Sequence, residues 1–199
     1  MAMSFNGEPQ EPSSGREIAS FFLEVVKIVI ISLAIILPVR YYLVQPFFVK
    51  GASMEPSFED GDYILVDELS YGFKDPSRGD VVIFKYPLDK SQFFIKRVIG
   101  LPGETIEIKG GQVMIYSTNK PEGFILKESY LDSTQKTLGT LRMRLDDEEY
   151  FVMGDNRIQS SDSRRWGALN RDLITGKAFI RPWPFDRAAK VTPVAYPTQ

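Results

Sequence analysis

The chain of 199 residues contains neither histidine nor cysteine, which limits the chemistry that its side chains can perform. A Ser-His-Asp triad and a Cys-His dyad are both excluded, as are disulfides and cysteine-ligated metals. If the protein is a hydrolase, its general base must therefore be a lysine, an aspartate or a glutamate.

A serine with small neighbours lies in the segment GASMEPSFEDGD, residues 51–62. Gly51 and Ala52 leave room for a substrate backbone to approach Ser53, and Pro56 stiffens the chain that follows. The same features are typical of an ordinary turn. Ser53 is therefore either a nucleophile or a turn residue.

A lysine with apolar neighbours lies in the segment FFIKRVIGLPGE, residues 93–104. On a β-strand, Lys96 shares a face with Phe94 and Val98, and apolar surroundings lower the pKa of a lysine amine. The neighbouring charge of Arg97 is expected to act in the same direction. A neutral amine can take a proton from a serine hydroxyl, so Lys96 is a candidate general base. The alternative is an edge-strand lysine that discourages aggregation.

The segment GDNRIQSSDSRRWG, residues 154–167, is rich in hydroxyls, carboxylates and arginines and follows an apolar stretch. Such a loop can orient other groups through hydrogen bonds, and Asp162 could pair with Arg164. A solvated polar loop is the alternative. The segment SRGDVVIFKYP, residues 77–87, indicates a turn and then a buried strand that serves as framework.

Short apolar runs between turn signals predict that residues 43–199 form a mainly β domain. Gly110-Gly111 separates two such runs and predicts a tight hairpin, because two-residue turns need positive φ. The polar residues 117–149 predict a smaller cap or insertion. The predicted strands are Tyr63–Asp67, Val81–Lys85, Phe93–Ile99, Thr105–Lys109, Gln112–Tyr116, Tyr150–Met153 and Lys177–Arg181.

The beginning of the chain predicts a membrane anchor. Residues 1–17 are polar and rich in Gly, Pro and Ser, which is typical of a flexible tail. Residues 18–39 are mostly apolar and extend about 33 Å as a helix, enough for a bilayer core of about 30 Å. We therefore expect a transmembrane anchor over residues 18–42. A cleavable signal peptide and a buried core helix are the alternatives, although no basic start and no Ala-x-Ala site accompany the apolar run.

The charges and the available metal ligands argue against nucleic acids and metal ions as partners. The net charge is -2 and no basic stripe is found in the sequence, so nucleic acid is not expected as a partner. Metal ligands would have to be carboxylates, and these show no recognisable spacing. We predict neither a metal nor a cofactor. The charges flanking the apolar segment do not determine its orientation.

Several motifs in one order resemble the type I signal peptidase family. They are the apolar anchor, SMEP, RGDVVIFKYP, FIKRVIGLPGE, GDNRxxSxDSRxWG and a closing GKAFIRPWP. The resemblance implies a Ser-Lys dyad on a β-rich fold, with Ser53 as nucleophile and Lys96 as general base. Such a dyad requires no cofactor.

The same resemblance assigns supporting roles to other residues. Ser160 matches the serine whose hydroxyl orients the lysine amine, and Asp162 and Arg164 match an ion pair that braces the loop. Asp155 and Asn156 belong to the same conserved segment of the family. The positions that match the lining of the shallow substrate pockets are Phe47, Val49, Phe58, Phe94 and Ile95.

Two departures from the family pattern concern the residues before the nucleophile. Many members have a serine two residues earlier that helps to form the oxyanion hole, and here that residue is Gly51. The oxyanion is then expected to rest on backbone amides, including that of Ser53. The usual Pro-Ser-Gly is replaced by Val49-Lys50-Gly51, which affects the local pocket shape.

The implied activity is the removal of signal peptides from exported preproteins with small residues at the -1 and -3 positions. The implied location is a single-pass membrane protein with its catalytic domain on the outer side of the plasma membrane or an equivalent export membrane. Two other hypotheses are a different Ser-Lys hydrolase, such as a self-cleaving repressor-type domain, and a membrane-tethered β module without enzymatic activity. A cleavage assay separates the enzyme from the binding module.

Overall fold

The computed structural model describes residues 14–38, 44–132, 135–194 and 196. The chain divides into two compact units, Met1–Tyr41 and Tyr42–Gln199. Most of the predicted polar tail, residues 1–17, lies outside the described residues, as does the end of the predicted anchor, residues 39–42.

The first unit contains the long apolar helix α1, Ser14–Pro38. Its 25 residues extend about 38 Å, which exceeds the roughly 30 Å of a bilayer hydrocarbon core. The stretch Glu17–Leu37 has a mean hydropathy of 2.5 and no buried residues. A helix that is apolar all round suits a lipid environment, so α1 is long and apolar enough to cross a membrane.

The second unit is mainly β, as predicted, and it contains every strand that the sequence indicated. Its short helices are α2, Ser70–Phe73, and α3, Ser163–Trp166, with 3₁₀ turns at Arg171–Leu173 and Phe185–Arg187. The strands found among its described residues are β1, Val44–Phe48; β2, Tyr63–Asp67; β3, Val81–Tyr86; β4, Asp89–Gly100; β5, Thr105–Lys109; β6, Gln112–Ser117; β7, Lys120–Ile125; β8, Leu141–Arg144; β9, Glu149–Met153; β10, Leu169–Asn170; β11, Ile174–Trp183; and β12, Ala189–Lys190.

A larger antiparallel sheet carries most of the second unit. Its strand order is β1-β2-β11-β3-β4-β9-β10, with β12 paired to β11. Strand β1 was not predicted, because Pro46 lies at its centre and proline cannot donate to a sheet ladder. The position of β1 at the sheet edge explains how the proline is tolerated.

A smaller antiparallel sheet has the strand order β7-β6-β5-β8. The predicted hairpin joins β5 to β6, and both Gly110 and Gly111 have positive φ, of 61° and 82°. Residues 117–149, which the sequence set apart as a cap, contribute β7 and β8 to this sheet. The smaller sheet therefore combines these residues with the hairpin that precedes them.

The larger sheet has apolar side chains on both faces. Alternate residues of β3 enter two different clusters, with Val81 and Ile83 in one and Val82 and Phe84 in the other. A third cluster packs the smaller sheet against Phe151 and Met153 of β9 and Ile99 of β4. The central strands β3 and β4 are therefore covered from both sides, and this is where the candidate site lies.

Candidate active site

Ser53 lies in a loop that follows β1 and is closed on itself by backbone hydrogen bonds. Val49 donates its amide to the Asp62 carbonyl at 2.9 Å, and Gly61 donates to the Val49 carbonyl at 3.0 Å. Met54, next to the serine, is fully buried. The loop is thus anchored on both sides of Ser53, which leaves the serine half-buried at its surface.

Lys96 lies in the middle of β4, opposite Val82 of β3. Its side chain is 3% exposed. The amine nitrogen Nζ is 2.7 Å from Ser53 Oγ and 2.7 Å from the carbonyl oxygen of Ile95. The fold therefore brings together the two residues that the sequence singled out, although they are 43 positions apart.

Burial lowers the pKa of Lys96 to about 8, and the negative charges of Asp162 and Asp155 oppose this shift only in part. The ring of Phe94, 5.4 Å from Nζ, is one of the apolar groups that replace water around the amine. The charge of Arg97, which was expected to lower the Lys96 pKa further, is not among the causes of this shift. Both Nε and Nη2 of Arg97 donate to Asp155, and the negative charge of that carboxylate offsets the charge of the arginine. Near neutral pH an appreciable fraction of the Lys96 amine is uncharged.

The segment after β9 is tied to the serine loop through its backbone. Asn156 donates its amide to the Ser53 carbonyl at 3.1 Å. A Cβ atom at Gly154 would overlap both the Ser53 carbonyl oxygen and Ser160 Oγ. Only glycine fits at this close approach, a requirement that local pattern does not indicate, because Gly154-Asp155-Asn156 is also typical of an ordinary turn.

Two ion pairs brace this segment. Arg164 bonds Asp162 through Nε and Nη2, both at 2.8 Å, as predicted from the sequence. Arg97 bonds Asp155 at 2.9 and 2.6 Å. Burial alone would raise the pKa of Asp162, but its hydrogen bond to Arg164 and the charge of that arginine hold it below its usual range.

Ser160 is 3% exposed and lies against Gly154. Its hydroxyl is close enough to Asp162 to help lower the pKa of that carboxyl, but it has hydrogen-bond geometry with none of the described residues. The Lys96 amine donates its other hydrogen bond to the Ile95 carbonyl and not to Ser160. The structure thus places Ser160 in the site without the contact to the amine that the resemblance implied.

A cavity of about 590 Å³ opens beside Ser53 and Lys96. Four of the residues that were assigned to the substrate pockets line it, namely Phe47, Val49, Phe94 and Ile95. Phe58, the fifth residue assigned to the substrate pocket, is not part of this lining, and its side chain is buried in the same apolar cluster as Val49. Besides Ser53 and Lys96, the further lining residues are Phe48, Lys50, Gly51, Ala52, Ile64, Ile83, Gln92, Phe93, Gln159 and Ser161.

The amide of Gly51 is occupied by Asp60, whose Oδ1 accepts from it at 2.6 Å. Gly51 has a φ of 82°, which favours glycine at this position. The amide of Gly51 is therefore not free to stabilise an oxyanion, which leaves the Ser53 amide as the candidate. Among the described residues, no group of three or more acidic side chains is arranged to hold a metal ion.

Comparison with known proteins places the chain in a family. A family model described as signal peptidase, peptidase S26, matches residues 22–183. A signal peptidase I of Leptolyngbya laminosa is 34% identical over 93% of this chain and 92% of its own length. A probable signal peptidase I-1 of Synechocystis is 37% identical over 84% of this chain and 85% of its own length.

A solved structure of a signal peptidase I from Enterococcus faecalis matches with a TM-score of 0.44 and 29% identity, covering 52% of this chain and 97% of that one. The signal peptidase I of Bacillus amyloliquefaciens is 33% identical over 89% of this chain and 95% of its own length. Since the family model and these relatives cover most of the sequence, the chain belongs to the signal peptidase family, peptidase S26.

Proposed function

We propose that this membrane-anchored signal peptidase cleaves its substrates with Ser53 as nucleophile and Lys96 as general base. Membership in the family makes the protein a serine peptidase that removes signal peptides. The observation that carries the proposal is the 2.7 Å contact between Lys96 Nζ and Ser53 Oγ. Its support is the lowered pKa of the buried amine, which leaves a fraction of it uncharged and able to accept a proton.

The proposed reaction proceeds through an acyl-enzyme. The neutral Lys96 amine takes the hydroxyl proton of Ser53 while Oγ bonds to the scissile carbonyl carbon. The C–N bond then breaks, and the Lys96 ammonium gives its proton to the leaving amine. Water next attacks the ester with Lys96 again as base, which releases the new carboxyl end and restores Ser53.

The remaining site residues are proposed to act by holding these two groups in place. The Ser53 amide is assigned to the oxyanion, because the amide of Gly51 is bonded to Asp60. The pairs Asp162–Arg164 and Asp155–Arg97 fix the segment whose Asn156 amide holds the Ser53 carbonyl. We assign to Ser160 the orientation of the Lys96 amine, on the basis of the family resemblance and its buried place in the site.

The substrates are proposed to be exported preproteins with small residues at the -1 and -3 positions. An extended peptide that adds to a strand edge presents alternate side chains to the same face. The cavity beside Ser53 is mostly apolar, with Phe47, Val49 and Ile95 in its lining, which suits small apolar side chains. We propose residues 43–199 as the catalytic domain, with 117–149 as part of its cap.

The catalytic domain is proposed to face the outer side of the membrane, where an exported signal peptide emerges. Added protease should digest the domain in intact spheroplasts. Protection until the membrane is lysed would reverse the proposed orientation.

Cleavage of a purified preprotein with an Ala-x-Ala site, in detergent, tests the dyad. Wild type should cut after the -1 alanine, while Ser53→Ala and Lys96→Ala should lose at least about 10²- to 10³-fold in rate with folding intact. Lys85→Ala is the matched control, because Lys85 is an exposed lysine on the neighbouring strand β3. Near-normal cleavage by Lys96→Ala would assign the base to another residue, and an inert wild type would favour the binding-module hypothesis.

A further inference from the structure

The smaller sheet contacts the candidate active site through Glu128, which lies in the connection between β7 and β8. Arg157 Nη1 donates to Glu128 Oε2 at 2.8 Å, and Arg157 Nη2 bonds the other carboxylate oxygen. The Arg157 side chain is fully buried, and that of Glu128 is 10% exposed. A buried ion pair with two hydrogen bonds fixes the backbone at Glu128 relative to the backbone at Arg157.

Arg157 also bonds the backbone segment that contacts the serine loop. Its Nε donates to the Gly154 carbonyl at 3.1 Å, and its Nη1 donates to Thr137 Oγ1 at 2.5 Å. The segment that it holds contains the Asn156 amide, which is bonded to the Ser53 carbonyl. Glu128 is therefore linked to the nucleophile through one buried arginine and one short backbone segment.

Tyr130 connects the same carboxylate with the strand that carries Lys96. Its hydroxyl donates to Glu128 Oε1 at 2.6 Å and accepts from Arg157 Nη2 at 3.1 Å. Its ring covers the guanidinium of Arg97, which lies 4.2 Å from the ring centre. Arg97 directly follows Lys96 in β4, so Tyr130 touches the neighbour of the base while Glu128 is tied to the loop of the nucleophile.

A similar trio elsewhere in the smaller sheet has no such connection. The Tyr116 hydroxyl donates to Glu107 at 2.6 Å, and the Arg142 guanidinium lies 5.0 Å from the Tyr116 ring centre. The Arg142 side chain is 65% exposed, and its contact with Glu107 is 3.7 Å long. These residues belong to β5, β6 and β8 and have no contact with the segment after β9 among the bonds of the described residues.

We propose that Glu128 and Tyr130 are positioning residues, through which the smaller sheet holds Ser53 and Lys96 at reacting distance. The inference rests on the proposed Ser-Lys mechanism. Neither residue lines the cavity beside Ser53, so their loss should affect the chemical step and leave substrate binding unchanged.

The test compares Glu128→Gln and Tyr130→Phe with the matched controls Glu107→Gln and Tyr116→Phe, in the full chain and in detergent. Glu128→Gln should lower kcat by about 10- to 100-fold, because small misplacements of reacting groups are costly. Tyr130→Phe should lower kcat several-fold. KM should stay within about twofold for both, and the controls should resemble wild type.

Each outcome separates the inference from the proposed function. An inactive wild type contradicts the proposed function, whereas an active wild type with unaffected Glu128→Gln and Tyr130→Phe contradicts only the inference. A fall in kcat that disappears after correction for the folded fraction, or a change in KM alone, also contradicts it. Should Glu128→Gln fail to fold because Arg157 is left buried and unpaired, Tyr130→Phe decides, since it removes only a hydroxyl.

Discussion

The two sheets of the second unit differ in how their strands are covered. Four successive residues of β3, Val81–Phe84, are buried, because apolar clusters lie on both faces of the larger sheet. In β5 burial alternates, with Ile106 and Ile108 buried and Glu107 partly exposed. The larger sheet thus excludes water from both faces of a central strand, and the smaller sheet excludes it from one.

This difference decides what a polar side chain can do in each sheet. Lys96, on the larger sheet, has its pKa lowered to about 8 chiefly by burial. Arg142 and Lys109, on the smaller sheet, keep exposed side chains in water. A lysine base thus requires the doubly covered sheet, and the smaller sheet can contribute only through contacts with its neighbour.

The largest effect is expected when the buried amine is replaced by an apolar chain of similar length. Lys96→Met should lower the cleavage rate by about 10³-fold, since the base is lost. It should also stabilise the fold at pH 7 by roughly 1–3 kcal/mol, because a buried amine with a depressed pKa is costly to charge. Activity assays and urea unfolding measure both quantities.

Lys109→Met on the smaller sheet is the matched control, and both quantities should stay close to wild type because Lys109 is exposed. If Lys96→Met is less stable than wild type, the charged amine does not destabilise the larger sheet. The two sheets would then not differ in the free energy that a lysine costs.

The glycines of the two regions should respond differently to an added methyl group. Gly154→Ala should reduce kcat by about 100-fold, because its Cβ would displace the Ser53 carbonyl or Ser160. Gly110→Ala, in the hairpin of the smaller sheet, should cost about 1 kcal/mol of stability from its positive φ and leave kcat unchanged. Equal losses of kcat in the two variants would argue against a close approach specific to Gly154.

The smallest effect is expected from a change in pH, which tests the protonation of the buried Lys96 amine without a mutation. Below the Lys96 pKa of about 8, kcat/KM should fall about tenfold per pH unit, because only the neutral amine accepts a proton. The folded pKa lies below the ordinary value of 10.5, so the unfolded chain binds the extra proton between these pH values. The contribution of Lys96 to stability should therefore rise from pH 8 to pH 10.5, and the slope of stability against pH should differ by that contribution between wild type and Lys96→Met. A rate that is flat from pH 6 to 9 would contradict the lowered pKa.

The predictable parts of the fold were those with strong local signals. The Gly110-Gly111 turn and the alternating residues of β5 and β6 specify a hairpin without help from the rest of the chain. The alternation around Lys96 likewise predicted a lysine with apolar neighbours on its face. Strand β1 could not be predicted in this way, because Pro46 argues against a strand unless its edge position is known.

By itself, the sequence determined which residue types could act, since the absence of histidine and cysteine left lysine, aspartate or glutamate as the base, and the resemblance of its motifs to a family indicated Ser53 and Lys96. Only the tertiary structure decided that they meet at 2.7 Å, that Phe58 turns into the core and that Glu128 pairs with Arg157. Local patterns act over a few residues, whereas these contacts join positions that lie tens of residues apart. Their geometry depends on how whole sheets pack, and packing is a property of the complete fold.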